Sequence, residues 1–198
     1  MSRFIYLMVV LAFASCSKNQ MNEEDLREYI ENEENGLHQV VLRNDITIEA
    51  FYKPSEMVWK NDIRNIVDPT QRDEYLRACD SLTYFSVHFS RKGKEIENAY
   101  VSDPILFNNI INYLSFEISN DFYLIAGKDT IPAIDAVYAR TFGAATSTNV
   151  MVTFDVNIKN EVDGPVKLRF NDKMFNTGLS DFDFQSTDIK KTPSLILN

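Results

Sequence analysis

Residues 37–52, LHQVVLRNDITIEAFY, narrow most sharply what this chain can become: two runs of strand-forming residues meet at Asn44-Asp45. Asn and Asp tolerate positive φ better than most residues, and a two-residue turn of that kind matches the twist of an antiparallel pair. The spacing predicts a β-hairpin, with Lys53-Pro54 ending its second strand. Alternation returns in LTYFSVHFS (82–90), where Phe85, Val87 and Phe89 share one face and Tyr84, Ser86, His88 and Ser90 the other. EIENAYV is expected to pair back on it after the RKGK turn. From residue 120 onward DFYLIA, IPAIDAVYARTF, VMVTFDVN, GPVKLRF and DFDFQSTDI follow one another as short strands, separated by Gly127-Lys128-Asp129 and the polar loop GAATSTN. Pro132 places its strand at a sheet edge or a strand start, because it has no N–H to give the ladder.

Helices are punctuated just as clearly. Asn22 can cap and Asn35-Gly36 can stop NEEDLREYIENEENG, whose apolar stripe is only Leu26, Tyr29 and Ile30. This helix carries seven acidic residues against one Arg; it reads as an amphipathic helix lying on the body, with an acidic spacer or docking face as the other option. Asp68-Pro69 and Asp103-Pro104 each place a capping Asp before a Pro at the first helical position. The second opens ILFNNIINYLSFEI, apolar on more than one face and so expected to be the central packing helix. SEMVWKNDIRNI is a further helical piece. Tyr75, Leu76, Cys79 and Leu82 fall on one helical face, predicting a buried, inert thiol at Cys79. The whole is an α+β fold: an antiparallel, sandwich-like β-sheet part with several packed helices, in one domain over residues 22–198.

With 29 acidic and 20 basic residues, the net charge is -9. Such a surface repels phosphate backbones and anionic headgroups, which excludes nucleic acid and adhesion to a membrane through a basic face. No cofactor is implied: there is no phosphate-cradling glycine loop, no H-x-x-x-H or C-x-x-C metal spacing, and no G-x-S-x-G elbow. No catalytic residue and no metal ligand stand out. Asp172, Asp181 and Asp183 offer oxygens for calcium but lack the spacing of a calcium loop, and DFDF alternates like a half-buried strand. The face of His88 and Tyr84, with Tyr138 on a later strand, is the candidate binding surface.

The first residues, MSRFIYLMVVLAFASC, place Arg3 before ten apolar residues, Phe4 to Phe13. That run is shorter than the ~20 residues a membrane-crossing helix needs and fits the apolar core of a signal peptide. Two cleavage sites overlap. Cutting after Ala14 would release a soluble periplasmic or secreted protein, in which Cys16 could pair with Cys79. Phe13-Ala14-Ser15-Cys16 instead resembles the bacterial lipoprotein signal, and this resemblance implies residues 1–15 as signal peptide, Cys16 as the lipidated residue and residues 16–21 as a tether. Leu is usual where Phe13 stands. The lipid reading is preferred. Beyond the signal, GLHQVVLRNDITIEAFYKP and LRFNDKMFNTGLSDFDFQSTDIKKTPSLIL look like small uncharacterised lipoproteins of Gram-negative bacteria, a likeness that brings no functional residue with it. It implies a protein anchored to a membrane in the cell envelope, facing the periplasm from the outer membrane.

Three functions remain open at this level. The first is a non-enzymatic envelope component that binds a protein partner, and the second is a small-molecule or glycan-binding lipoprotein. The third, a hydrolase assembled from distant residues, has least in its favour.

Overall fold

In the computed structural model, which describes residues 20–197, the chain opens with β1 (Gln20–Met21) and α1 (Glu23–Glu31), then forms the expected hairpin of β2 (His38–Arg43) and β3 (Ile46–Lys53). Asn44 and Asp45 both take positive φ, 47° and 64°, and the register pairs Arg43 with Ile46 and His38 with Phe51. The residue pair that tolerates this backbone thus sets every later contact of the hairpin. α2 (Ser55–Trp59) and α3 (Pro69–Asp80) follow, the latter capped by Asp68, whose carboxylate accepts from the Thr70 and Gln71 N–H groups. No residue of α3 is fully buried: Tyr75, Leu76, Cys79 and Leu82 do share a face, but only half-buried. Cys79 is therefore less enclosed than the sequence suggests, and it is a free thiol. Its expected alternative partner, Cys16, lies outside the described residues.

β4 (Thr83–Arg91) runs at the centre of the larger sheet, and β5 (Lys94–Glu95) pairs back on it for two residues only. The rest of EIENAYV is a 3-10 turn, Ile96–Tyr100, instead of a strand. α4 (Pro104–Phe116) starts at its Asp103 cap as expected but is not a central helix. It buries Ile110, Tyr113 and Leu114, while Ile105 and Phe116 are exposed. A helix apolar all round can be a core helix, but here the space between the sheets is already filled by aromatic side chains.

β6 (Phe122–Ala126), β7 (Asp129–Pro132), β8 (Asp135–Ala139), β9 (Thr148–Phe154), α5 (Ile158–Glu161), β10 (Pro165–Asn171), β11 (Leu179–Gln185), α6 (Ser186–Lys191) and β12 (Ser194–Leu195) complete the chain. IPAIDAVYARTF is not one strand but two in different sheets. β7 is the edge of a four-stranded sheet, β11-β10-β6-β7, and β8 the edge of a six-stranded sheet, β2-β3-β4-β9-β8 with β5 on β4. The crossing is abrupt: the Ala133 N–H donates to Phe122 O in one sheet and the Ile134 N–H to Thr153 O in the other. Pro132 ends the edge strand, where its missing donor costs nothing.

The two sheets pack face to face. Phe85 meets Phe184 at 5.1 Å between ring centroids and Phe89 meets Phe170 at 5.2 Å, one ring of each pair from each sheet. All four are fully buried, and burying a side chain of this size contributes about 1.5–3 kcal/mol. Leu26 and Ile30 anchor α1 to the body, so the acidic helix lies on it. β1 and β12 pair in parallel, which ties the start of the described chain to its end. Gln20 and Met21, expected in the tether, thus belong to a strand.

Candidate functional site

The strand β4 that sends Phe85, Val87 and Phe89 inward sends Tyr84, Ser86 and His88 to the outer face of the larger sheet. The register brings Glu49, Phe51 and Lys53 of β3 alongside them, with His38 of β2 beyond and Asn149 of β9 on the other flank. Both histidines of the chain therefore flank one aromatic ring. His38 stacks on Phe51 at 4.1 Å and 8° between planes, while His88 lies 4.9 Å from it at a tilt. α1 and α2 wall this face, and between them and the strands lies a cavity of about 160 Å³. Its lining includes Arg27, Ile30, Glu31, Phe51, Lys53 and His88.

The polar groups form a short chain. The Ser86 hydroxyl donates to Asn149 Oδ1 at 3.0 Å, which leaves its oxygen to accept from His88 Nε2–H, also 3.0 Å away. Burial, then the neighbouring Lys53 and His38, bring the His88 pKa down to about 4, so the ring is neutral at physiological pH. On the far side of Phe51, His38 Nδ1–H donates to the Glu31 carbonyl oxygen at 3.1 Å. Its Nε2 lies 3.4 Å from Glu49 Oε1 without forming a hydrogen bond. Burial, then repulsion from Arg27 and Lys60, lowers the Lys53 pKa, with Glu23 pulling the other way. Among the described residues Lys53 makes no ion pair.

The structure brings together two of the three residues expected at a binding surface. Tyr84 shares the face of His88 but is buried beneath α3, its hydroxyl donating to the Cys79 carbonyl oxygen at 3.2 Å. Burial raises its pKa first, and Cys79 next. Tyr138 pairs with Val150 and so points to the opposite side of the sheet, where its hydroxyl donates to the Glu97 carboxylate. Burial and that hydrogen bond raise its pKa. Ser86 lies on the face expected from the sequence, whereas Phe51, Lys53, Asn149 and Arg27 were not singled out there. The His38–Phe51 pairing follows from counting outward from the turn, but the β3–β4 register does not, because a 29-residue excursion separates the two strands.

The carboxylates weighed for calcium are engaged elsewhere. Asp172 accepts from the N–H groups of Met174, Phe175 and Thr177 and from the Thr177 hydroxyl, and so closes its own loop. Asp181 is held bidentately by Arg169 at 2.8 and 2.9 Å, and Asp183 lies 3.7 Å from Lys167. Among the described residues no group of three or more acidic, His or Cys side chains is placed to hold a metal ion, and no helix is long and apolar enough to cross a membrane.

No family model and no curated protein matches this chain. Among solved structures, it is similar to a DUF4426 family protein from Pseudomonas aeruginosa PAO1, with 12% identity over 75% of this chain and 91% of that one and a TM-score of 0.39. It is also similar to a novel protein of unknown function from Burkholderia pseudomallei K96243, with 8% identity over 85% and 88% and a TM-score of 0.41. Both are bacterial proteins for which no activity is named, and at this distance neither likeness bears on the fold or the site.

Proposed function

We propose that this chain is a lipid-anchored component of a bacterial cell envelope whose body is a non-enzymatic binding module. The observation that carries the binding reading is the cavity over Phe51, His88 and Lys53, which gathers polar groups around an apolar wall without assembling a reaction centre. A serine activated by histidine needs a basic imidazole with its Nε2 free and a carboxylate behind it. Here Nε2 points its proton at Ser86, and the ring's pKa is depressed first by burial and then by Lys53 and His38. An imidazole with a pKa of about 4 is a weak base at neutral pH, which argues against hydrolysis at this site.

The anchor reading rests on Cys16 and its flanking residues in the sequence. Among the described residues the hydrophobic core runs from Leu26 to Leu195. Two or more acyl chains at Cys16 would hold the body firmly, since each buried methylene contributes about 0.8 kcal/mol. From Cys16 to β1 is four residues, a reach of about 14 Å at most, so the body would sit close to the bilayer. A second reading, an assembly component with a protein partner, is supported by β2. It is an edge strand whose Val40 and Leu42 are 46% and 65% exposed.

Intact-mass measurement on membrane-extracted protein tests the anchor. The expected product begins at Cys16 and carries acyl mass. A product beginning at Ser15 without it overturns the lipid reading.

A further inference from the structure

Lys53 lines the cavity, and among the described residues its ammonium makes no ion pair, although Glu23 pulls its pKa upward. Arg27 lines the same cavity from α1, its guanidinium 3.3 Å from Glu23 and otherwise turned to solvent. Ser86, His88 and Asn149 line the strand side, while Ile30, Phe51 and Met57 supply apolar wall. Glu31 is the one acidic residue on the lining. Glu49 stands opposite His88 in the register but outside the lining.

We propose that this cavity binds a small organic carboxylate, its charged end between Lys53 and Arg27 and its apolar part against Phe51. The inference rests on reading the cavity as a binding site and adds the chemical class of the ligand. A partly buried ammonium without a counter-ion carries a desolvation cost that an incoming anion offsets. The direction in which His88 is shifted agrees, since Lys53 is the second contributor after burial. Arg27 and Lys53 against Glu31 make the lining positive on a protein whose net charge is -9, so the pocket differs in sign from the surface around it. Size narrows the ligand further. A volume of about 160 Å³ is comparable with the ~150 Å³ of an apolar protein cavity that takes up one benzene ring, so it suits one ring or a short chain.

The test is calorimetry on the full chain at pH 7 with benzoate as probe and benzyl alcohol as its uncharged match. Benzoate is expected to bind and benzyl alcohol to bind far more weakly. Lys53→Met should weaken benzoate about tenfold or more, the loss of one charge-assisted contact. Arg27→Gln, on the exposed side of α1, should weaken it several-fold and serves if the first variant does not fold. Binding is located by NMR titration of His88, whose pKa should rise from about 4 when benzoate is bound. The groups facing that ring are Lys53 and Glu49 from β3, His38 from β2, Ser86 on its own strand, Asn149 from β9, and Arg27 and Glu31 from α1. Equal binding of benzyl alcohol, unchanged in Lys53→Met, overturns the carboxylate while leaving the cavity a binding site. Binding of neither probe overturns both readings.

Discussion

The outer faces of the two sheets are built from the same antiparallel ladder and end in opposite states. On the smaller sheet, Arg169 and Lys167 of β10 meet Asp181 of β11 at 2.8 and 3.0 Å, and Lys167 also reaches toward Asp183. Each charge has its opposite directly across the ladder or one step away, the geometry in which cross-strand pairs stabilise a sheet. On the larger sheet, Lys53 has no ion pair among the described residues, His38 Nε2 has no hydrogen bond, and His88 is driven neutral. Helices α1, α2 and α3 cover part of that face. A self-paired face is scaffold; a covered face with an unpaired Lys53 and a hollow is where a ligand has something to add.

That contrast belongs to two faces of one folding unit only if the sheets stand or fall together, and Phe85 tests it with the largest effect. Its ring lies 6.0 Å from Tyr52 and 6.2 Å from Phe154 within its own sheet, and 5.1 Å from Phe184 in the other. Phe85→Ala should cost about 3–5 kcal/mol in urea unfolding. Hydrogen exchange at the Asp181 and His88 amides should rise together. Faster exchange on the larger sheet alone would break the comparison, because the smaller face would then belong to an independently stable piece.

Acid should separate the faces. His88 has a folded pKa of about 4 against 6.5 for the free side chain, so between these values the unfolded chain binds a proton that the folded one refuses. Stability therefore falls as pH drops from 6.5 to 4 and loses no more to this residue below that. Allowing for its partial exposure, the loss is on the order of 2 kcal/mol. His88→Gln should remove that portion of the slope. An identical slope in the variant would mean that the acid sensitivity comes from the carboxylates.

The sequence disclosed the faces better than their contents. Asn44-Asp45 foretold the hairpin, and Asp68-Pro69 and Asp103-Pro104 foretold two helix starts, because turns and caps are decided by neighbouring residues. Alternation in β4 and β11 correctly separated Phe85 from His88 and Phe182 from Asp181. The division of IPAIDAVYARTF between two sheets was not legible, since it depends on which strands Ala133 and Ile134 meet. The same limit hid the cavity. Lys53 and Phe51 reach His88 through a register set by tertiary packing, Asn149 arrives from β9, and Arg27 looked like one more solvated charge on an acidic helix. The position of Tyr138 was hidden for that reason too: its face is fixed by pairing with Val150, and no local pattern near it says so.

The smallest effect lies on the scaffold side. Asp181 has its pKa lowered to about 2, first by the hydrogen bond from Arg169 and, against some burial, by Lys167. A carboxylate depressed in the folded state adds stability above its unfolded pKa near 3.8, and that contribution is lost as pH falls toward 2. Its window thus lies below that of His88, so one acid titration can resolve the two faces in sequence. The pair is largely solvent-screened, so Asp181→Asn should cost only about 1 kcal/mol or less at pH 7, less still in high salt, and nothing below pH 2. Benzoate binding should be unaffected, because the residue lies on the other sheet. A loss of several kcal/mol at neutral pH would show that the smaller face is held by its ion pairs more than by the aromatic layer beneath, and the distinction between a self-paired scaffold and a ligand-ready face would then need a different physical basis.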